Sequence, residues 1–163
     1  MVAVAYIGLG SNLSEPTIKV AEAMRKFDAL PHTRLLARSS LYRSAPVGYL
    51  DQPDFINAVA QVETELSPHA LLDALLTLEQ TFGRTREFRN APRTLDLDVL
   101  LYDNLQLHEP GLTIPHPQMH LRAFVLQPLL EIVPDCAIPG VGSAAAAMAA
   151  CEGQRLERIA HAA

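Results

Sequence analysis

The segment TLDLDVLLY, residues 94–102, constrains the fold of this chain more than any other stretch. Its threonine, valine, tyrosine and leucines favour a pleated surface, and loop-forming residues flank it, so it is predicted to be a strand. Because successive side chains leave opposite faces of a strand, Asp96 and Asp98 share one face, with Cα atoms roughly 6–7 Å apart. The opposite face receives Leu95, Leu97 and Val99. The fold must therefore cover one face of this strand with a hydrophobic core and carry two carboxylates on the other.

The two carboxylates and the segment before them favour phosphate chemistry. Neighbouring carboxylates repel each other, and a bound cation or a raised pKa relieves the repulsion. Magnesium–nucleotide sites use one or two carboxylates, with water and phosphate as the remaining ligands. Residues 84–93 hold four arginines, whose forked donors match phosphate oxygens. They are Arg84, Arg86, Arg89 and Arg93. The pattern indicates phosphoryl-type transfer, although these residues leave open a solvated aspartate pair beside a basic surface loop.

Hydrophobic periodicity predicts a chain that alternates strands and helices. Strands are predicted at 2–7, 33–42, 54–66 and 94–102, with helices at 14–31 and 68–82 between them. Gly8 and Gly10 are interpreted as a turn that closes the first strand. The order β-α-β-β-α-β is that of an α+β, ferredoxin-like fold. Farther along, the pattern predicts a strand at 112–114, a helix ending near 130, a helix at 143–151 and a strand at 155–159.

The predicted strand at 54–66 has one apolar face and one mixed face. Its apolar face receives Ile56, Ala58, Ala60 and Val62. Phe55 and Asn57 fall on the other face with Gln61 and Glu63, an unusual set for a surface that meets only solvent. An aromatic ring beside an amide suits a site that stacks a ligand ring and reads its polar edge.

Composition excludes several classes of function. A formal net charge of −5 over 163 residues argues against a nucleic-acid partner. No apolar run reaches the ~18 residues of a membrane span, and the N-terminus lacks an export signal, so a cytoplasmic protein is expected. Cys136 and Cys151 lack a CxxC spacing and are predicted to be buried reduced thiols. One domain over residues 1–163, without a Walker-type phosphate loop, is predicted.

Five separated motifs together resemble the 6-hydroxymethyl-7,8-dihydropterin pyrophosphokinase family, whose members act in folate biosynthesis. The motifs are GSNL at 10–13, SSLYRSAPVG at 39–48, DQPDFINA at 51–58, GRTREFRNAPRTLDLDVLLYD at 83–103 and LTIPHPQMHLRAF at 112–124. They occur in the order and spacing of the family. The resemblance implies a three-layer α-β-α domain with a ferredoxin-like βαββαβ core, acting as a monomer.

The resemblance also implies the reaction. ATP would donate its pyrophosphoryl group to the hydroxymethyl oxygen of 6-hydroxymethyl-7,8-dihydropterin, giving AMP and (7,8-dihydropterin-6-yl)methyl diphosphate. Asp96 and Asp98 match the family's metal-binding aspartates and would hold two Mg²⁺ ions. The residues that match catalytic positions are Arg84, Arg93, Asp96 and Asp98.

The remaining matches divide between the two substrates. The ATP-binding positions are Glu79, Arg84, Arg86, Arg93, Val99, Thr113, His116 and Arg122. The pterin-binding positions are Ser44, Ala45, Pro46, Val47, Phe55, Asn57, Asp96 and Phe124. Structural roles stay open for three of these residues: a surface ion pair for Glu79, a turn histidine for His116 and a core aromatic for Phe124.

The chain departs from the family pattern at three positions. Leu76 stands where members often have a glutamine, Glu87 where some have a lysine, and Asn90 where some have a tryptophan. These differences concern the rate and the closure of the arginine loop rather than the reaction. A non-catalytic pterin- or nucleotide-binding protein, a kinase that moves only the γ-phosphate and a structural module are the competing interpretations.

Overall fold

A computed structural model of the chain describes residues 2–12, 15–45, 53–82 and 95–160. Its α-helices are α1 (Pro16–Lys26), α2 (Pro68–Thr81), α3 (Ala123–Ile132) and α4 (Ala144–Ala149). Its strands are β1 (Ala3–Ser11), β2 (Thr33–Arg38), β3 (Leu41–Ser44), β4 (Phe55–Thr64), β5 (Asp96–Tyr102), β6 (Leu107–Glu109), β7 (Leu112–Ile114), β8 (Ala137–Ile138), β9 (Gly142–Ser143) and β10 (Leu156–Ala160). None of the described helices is long and apolar enough to span a bilayer.

The main sheet is antiparallel, and β1 lies inside it between β4 and the edge strand β5. The strand order is β10-β3-β4-β1-β5, and β2 continues the edge of β3 by pairing with the second half of β4. Gly10 of β1 pairs with Asn57 on one side and Asp96 on the other. Residues directly opposite each other in an antiparallel pair share a face. The register therefore places the aspartates of β5 on the same face as Asn57 of β4.

Helices pack on both faces of this sheet. Apolar residues of α1 and α2 join the alternating side chains of β1 in one core, which includes Leu95, Leu97 and Val99 as the sequence predicts. Apolar residues of α3, together with Ala144 of α4, form a second core on the other face. The chain is thus a mixed α/β fold built on an antiparallel sheet. The helix start at Ser67 and the terminal strand β10 are confirmed, and the elements through β5 follow the predicted order except that one predicted strand is divided in two.

The prediction of one continuous strand at 33–42 is wrong, because the structure divides this segment into β2 and β3. Ser39 and Ser40 separate the two strands and are buried. The Ser39 hydroxyl donates to the carbonyl of Ser40 (2.8 Å) and accepts from the Val59 N–H (2.9 Å). Side-chain hydroxyls that bond to nearby backbone groups compete with the strand ladder. The break therefore depends on partners that an alternating pattern does not reveal.

One further expectation about strands is also corrected. The first strand extends to Ser11, so Gly8 and Gly10 lie within β1 and do not form a turn. The mixed face of β4 is covered in its middle, where Asn57 is 4% exposed and Val59 is fully buried, while Glu63 near its end keeps 38% of its side chain exposed. The second core explains this burial, since α3 packs over that face.

The carboxylate of Glu131 in α3 links the helix layer to the edge of the sheet. It accepts hydrogen bonds from the Ser40 N–H (2.9 Å), the Ser40 hydroxyl (2.7 Å) and the Tyr42 hydroxyl (2.7 Å). Arg158 of β10 donates to its second oxygen (2.9 Å). Burial acts to raise the pKa of Glu131, but these hydrogen bonds outweigh it and lower the pKa. Burial, followed by the bond to this carboxylate, raises the pKa of Tyr42 to about 12.

We expect Glu131→Ala to lower the free energy of unfolding by about 2–3 kcal/mol, as for other hydrogen bonds to a charged group. Because the folded pKa lies below the usual 4.5, this contribution is complete above that value and is lost as the pH falls through the folded pKa. Urea titrations at neutral and acidic pH would measure the difference between variant and parent.

The matched control is Glu157→Ala, which breaks an exposed ion pair with Arg43 (2.9 Å). Such pairs contribute less than about 1 kcal/mol. Equal losses for the two variants would contradict the role given to Glu131.

Candidate active site

Predicted site residues from three strands meet on one face of the sheet. Asp96 and Asp98 begin β5, and both are partly buried. Asp96 pairs with Gly10 and Asp98 pairs with Gly8, both on the neighbouring strand β1. On the far side of β1, Asn57 pairs with Gly10. The row Asp96–Gly10–Asn57 therefore crosses three strands, with a carboxylate at one end and an amide at the other.

Gly10 forms the floor between the two predicted substrate sites. A Cβ atom at this position would lie 3.6 Å from Asn57 Oδ1 and 3.9 Å from Phe55 Cδ1. Any longer side chain would fill the space between the amide and the carboxylate. The sequence interpretation of a simple turn missed this role. Two glycines spaced to share a face of a central strand are the signal that could have revealed it.

The amide of Asn57 is held in one orientation by β3. Its Nδ2 donates to the Ser44 hydroxyl at 2.7 Å and makes a longer bond to the Tyr42 carbonyl at 3.5 Å. Phe55, two residues before it, shares its face. The structure thus brings together the predicted pterin-binding residues Ser44, Phe55 and Asn57, with Ala45 directly after Ser44. Pro46 and Val47 lie outside the described residues.

Glu79 is buried, which contradicts the interpretation of a surface ion pair. It lies in α2, is 1% exposed, and its Oε2 accepts a 2.6 Å hydrogen bond from the Leu97 N–H. In the strand order β5 is the outermost strand on this side. The carboxylate therefore binds the backbone of the edge strand at the residue between Asp96 and Asp98. Leu76, by contrast, is an exposed residue on the same helix, outside the core.

His116 is tied to β5 and lies near two other site residues. Its backbone N–H donates to the Leu100 carbonyl (3.0 Å), and the Nδ1 atom of its imidazole accepts from the Gln118 backbone N–H (3.1 Å). Burial lowers the pKa of His116, the charge of Arg122 lowers it further, and Asp96 acts in the opposite direction. The imidazole is therefore neutral near neutral pH, with its proton on Nε2. His116 accepts a hydrogen bond within the turn, as the alternative interpretation predicted. That bond uses Nδ1, so the Nε2–H remains available as a donor.

Arg122 and Phe124 lie at the start of α3, on the layer that covers the site face. The Arg122 guanidinium carbon lies 5.5 Å from the centroid of the Phe124 ring, within the range of cation–π contacts. Phe124 is partly buried and packs against the second core. Phe124 is therefore partly a core residue, as the alternative interpretation predicted, and its ring also contacts the guanidinium of Arg122.

The other predicted ATP-binding residues have different settings. Val99 is 4% exposed and faces the first core, so only its backbone could meet a ligand. Thr113 is partly buried in β7, opposite His108 of β6, and β7 packs beside β5. Arg84, Arg86 and Arg93 lie outside the described residues.

The donor set at Asp96 and Asp98 fits a hard divalent cation. Two carboxylates leave the same face of β5 beside a glycine floor, and oxygen ligands are those that Mg²⁺ prefers. Within the described ranges, no group of three or more His, Cys, Asp or Glu side chains is arranged to hold a metal. A metal here would take its remaining ligands from water and substrate.

A model of the 7,8-dihydro-6-hydroxymethylpterin-pyrophosphokinase (HPPK) family matches residues 6–134. The chain is similar to the 2-amino-4-hydroxy-6-hydroxymethyldihydropteridine pyrophosphokinase of Pseudomonas aeruginosa, with 46% identity over 159 residues, 98% of each chain. The enzyme of the same name from Haemophilus influenzae is 50% identical over 135 residues, 83% of this chain and 84% of that one.

Solved structures share the fold at low sequence identity. A crystal structure of HPPK-DHPS in complex with substrates matches with a TM-score of 0.70 and 13% identity, covering 91% of this chain and 43% of that chain. Plasmodium falciparum HPPK-DHPS with pteroate matches with a TM-score of 0.72 and 12% identity, covering 92% and 42%. The chain thus spans less than half the length of these two structures.

We expect Glu79→Ala to lower the free energy of unfolding by at least about 1–3 kcal/mol, because it leaves the buried Leu97 N–H without this acceptor. Turnover should also fall, since the same bond holds the segment between the two aspartates. Urea titration and steady-state kinetics would measure the two effects.

Glu79→Gln keeps an acceptor oxygen and should retain more stability than Glu79→Ala. The control Glu22→Ala removes an exposed helical carboxylate and should change stability by less than about 0.5 kcal/mol. An alanine variant at position 79 as stable as the parent would show that this bond does not support β5.

Proposed function

The chain belongs to the 7,8-dihydro-6-hydroxymethylpterin-pyrophosphokinase family and transfers pyrophosphate from ATP to 6-hydroxymethyl-7,8-dihydropterin in folate biosynthesis, and from this premise we propose which residues perform the transfer. One observation carries the proposal: the register of β1 puts Asp96 and Asn57 on opposite sides of Gly10. A pterin held over Asn57 would present its hydroxymethyl group toward the carboxylates.

The reaction needs positioning more than covalent chemistry. The hydroxymethyl oxygen of the pterin attacks the β-phosphorus of ATP, and the bond from that phosphorus to the oxygen bridging the α-phosphate breaks. The hydroxyl proton passes to water, AMP leaves with the electron pair of the broken bond, and the pterin keeps the diphosphate. Enzymes accelerate such transfers chiefly by aligning the two oxygens and by neutralising charge on the phosphates.

Asp96 and Asp98 are assigned to two Mg²⁺ ions. When bound, such ions would neutralise charge on the phosphates and lower the pKa of the attacking hydroxyl. Both aspartates are partly buried on β5, and Glu79 holds the backbone of this strand at the residue between them. This fixed position favours metal binding. The two carboxylates would hold negative charge at a fixed place beside the pterin.

The phosphates of ATP are assigned to donors that surround the aspartates. Neutral His116 donates from Nε2, and Arg122 provides a fixed positive charge at the start of α3. Thr113 and Val99 would meet the adenine through their backbones, and the buried Glu79 would support the nucleotide site through its bond to the Leu97 N–H. By family resemblance Arg84, Arg86 and Arg93 bind the phosphates, with Arg84 and Arg93 acting in catalysis.

The pterin is assigned to the other side of Gly10. Phe55 and Phe124 would stack on the two faces of the ring, since α3 packs over the face of the sheet on which Phe55 of β4 lies. Asn57, held by Ser44, would bond to the polar edge of the ring. Ala45, Pro46 and Val47 would complete that edge with their backbones.

We further propose that residues 1–163 form a single domain with the ferredoxin-like βαββαβ core and that it acts as a monomer. The observed antiparallel order β3-β4-β1-β5, with helices on both faces, supports the topology. At the outer edge of β2, Asp28 accepts a hydrogen bond from the Leu35 N–H (2.7 Å). A backbone group satisfied in this way is less available for pairing with a second sheet.

We expect Asp96→Ala and Asp98→Ala each to lower turnover by at least about 10³-fold, because metal ions supply several kcal/mol of charge stabilisation. Chromatography of nucleotides after incubation with ATP, Mg²⁺ and the pterin would measure AMP and pterin diphosphate together. The control Asp73→Ala removes an exposed carboxylate from α2 and should behave as the parent.

ADP as the product would identify a γ-phosphoryl kinase and contradict the proposed reaction. Pterin binding without any nucleotide turnover in the parent would favour the non-catalytic binding protein.

We expect Phe55→Leu to weaken pterin binding about tenfold, since an aromatic contact contributes ~0.5–1.5 kcal/mol beyond its buried area. ATP binding should not change. The matched control is Phe27→Leu in the first core, which should lower stability and leave pterin affinity unaltered. Calorimetry with the pterin and with a non-hydrolysable ATP analogue would separate the effects, and equal losses for both ligands would contradict the assignment of Phe55.

A further inference from the structure

The side chain of Gln154 bonds to the backbone on both sides of Arg122. Its Oε1 accepts a hydrogen bond from the Ala123 N–H at 2.9 Å. Its Nε2 donates to the Leu121 carbonyl at 2.8 Å. One carboxamide therefore bridges the two residues that flank Arg122, in the manner of a neighbouring strand.

This arrangement solves a capping problem at the start of α3. Arg122 is the N-cap residue, with φ −124 and ψ 111, and its side chain makes no capping hydrogen bond. N-cap positions favour Ser, Thr, Asp and Asn because these side chains accept from the first N–H groups of the helix. An arginine has no acceptor, and this one lies over Phe124 instead. Gln154 supplies an acceptor to the first helical residue from another part of the chain.

Gln154 itself has firm support on either side. Its N–H donates to the Cys151 carbonyl (3.1 Å), and Cys151 is buried against the second core. Two residues after Gln154, Leu156 begins β10 and pairs with Ser44 of β3. The carboxamide thus projects from a short segment that the sheet and the core hold at both ends.

We propose that Gln154 is a positioning residue that sets the direction of the Arg122 side chain. By fixing the peptide groups before and after Arg122, it limits the backbone rotation that would swing the guanidinium away from the phosphates. Gln154 lies beyond residue 134, where the family match ends. The inference rests on the proposed role of Arg122 in ATP binding, and it gives the C-terminal segment a part in catalysis.

A double-mutant cycle tests this inference on the full chain. Gln154→Met keeps the length of the side chain and removes both hydrogen bonds, and Arg122→Ala removes the group to be positioned. Displacing a substrate-binding group by about 1 Å can cost up to ~10²-fold, so we expect Gln154→Met to lower kcat/KM for ATP about tenfold. In the Arg122→Ala background the same change should have less than about a twofold effect, since contacting residues are not additive.

The matched control is Gln61→Met, which removes the hydrogen bond from Gln61 to the Tyr6 hydroxyl (2.8 Å). Both glutamine variants should lose a similar free energy of unfolding in urea, of about 0.5–1.5 kcal/mol for an ordinary hydrogen bond. Only Gln154→Met should lower kcat/KM for ATP. This comparison separates positioning from a general loss of stability.

The outcomes separate the positioning role of Gln154 from the ATP-binding role of Arg122. Equal losses from Gln154→Met in both backgrounds, or no loss in either, would overturn the inference while Arg122→Ala still lowers turnover. An Arg122→Ala variant with the parent's kinetics would show that the proposed role of Arg122 is wrong, and the inference would fall with it.

Discussion

The register of β1 between β4 and β5 is the constraint on which the rest of the site depends. Gly10 has Asn57 on one side and Asp96 on the other because nine consecutive pairs join β1 to β4 and a second ladder joins it to β5. A slip of one residue would turn the aspartates into the first core and Leu97 toward the site. Both faces of the sheet are covered by apolar layers, so either side of β1 resists such a slip. The packing that stabilises the fold therefore also aligns the two halves of the site.

Side chains from other segments hold either the backbone beside a functional group or the functional side chain itself. Glu79 binds the Leu97 N–H between the two aspartates, Ser44 holds the amide of Asn57, and Gln154 bridges the residues that flank Arg122. Asp96 begins the edge strand β5 and Arg122 precedes α3, positions where the backbone lacks some of its regular partners. Glu79 and Gln154 satisfy backbone groups there, whereas Ser44 holds a side-chain amide. Supporting contacts of this kind limit the movement of catalytic groups.

Electrostatics at the site differs from that of the chain as a whole. The formal net charge of −5 disfavours polyphosphate, so its binding requires local positive charge. Arg122 provides such a charge among the described residues, and it also lowers the pKa of neighbouring His116. A neutral histidine can donate one hydrogen bond without adding charge, while Asp96 opposes the shift. Burial lowers the pKa of His116 most, and the charge of Arg122 adds to that effect.

Sequence by itself determined the features that follow from covalent geometry. The period of two put Asp96 and Asp98 on one face and Leu95, Leu97 and Val99 in the core, and the five motifs identified the family. The arginines at 84, 86 and 93 remain predictions. Only the tertiary structure decided that Glu79 is buried, that Asn57 faces a second core, that Ser39 and Ser40 divide a strand, and that Gln154 bonds to the residues on both sides of Arg122. Alternation is a property of a single strand, whereas burial and capping depend on which distant layer covers it, and local spacing carries no information about that layer.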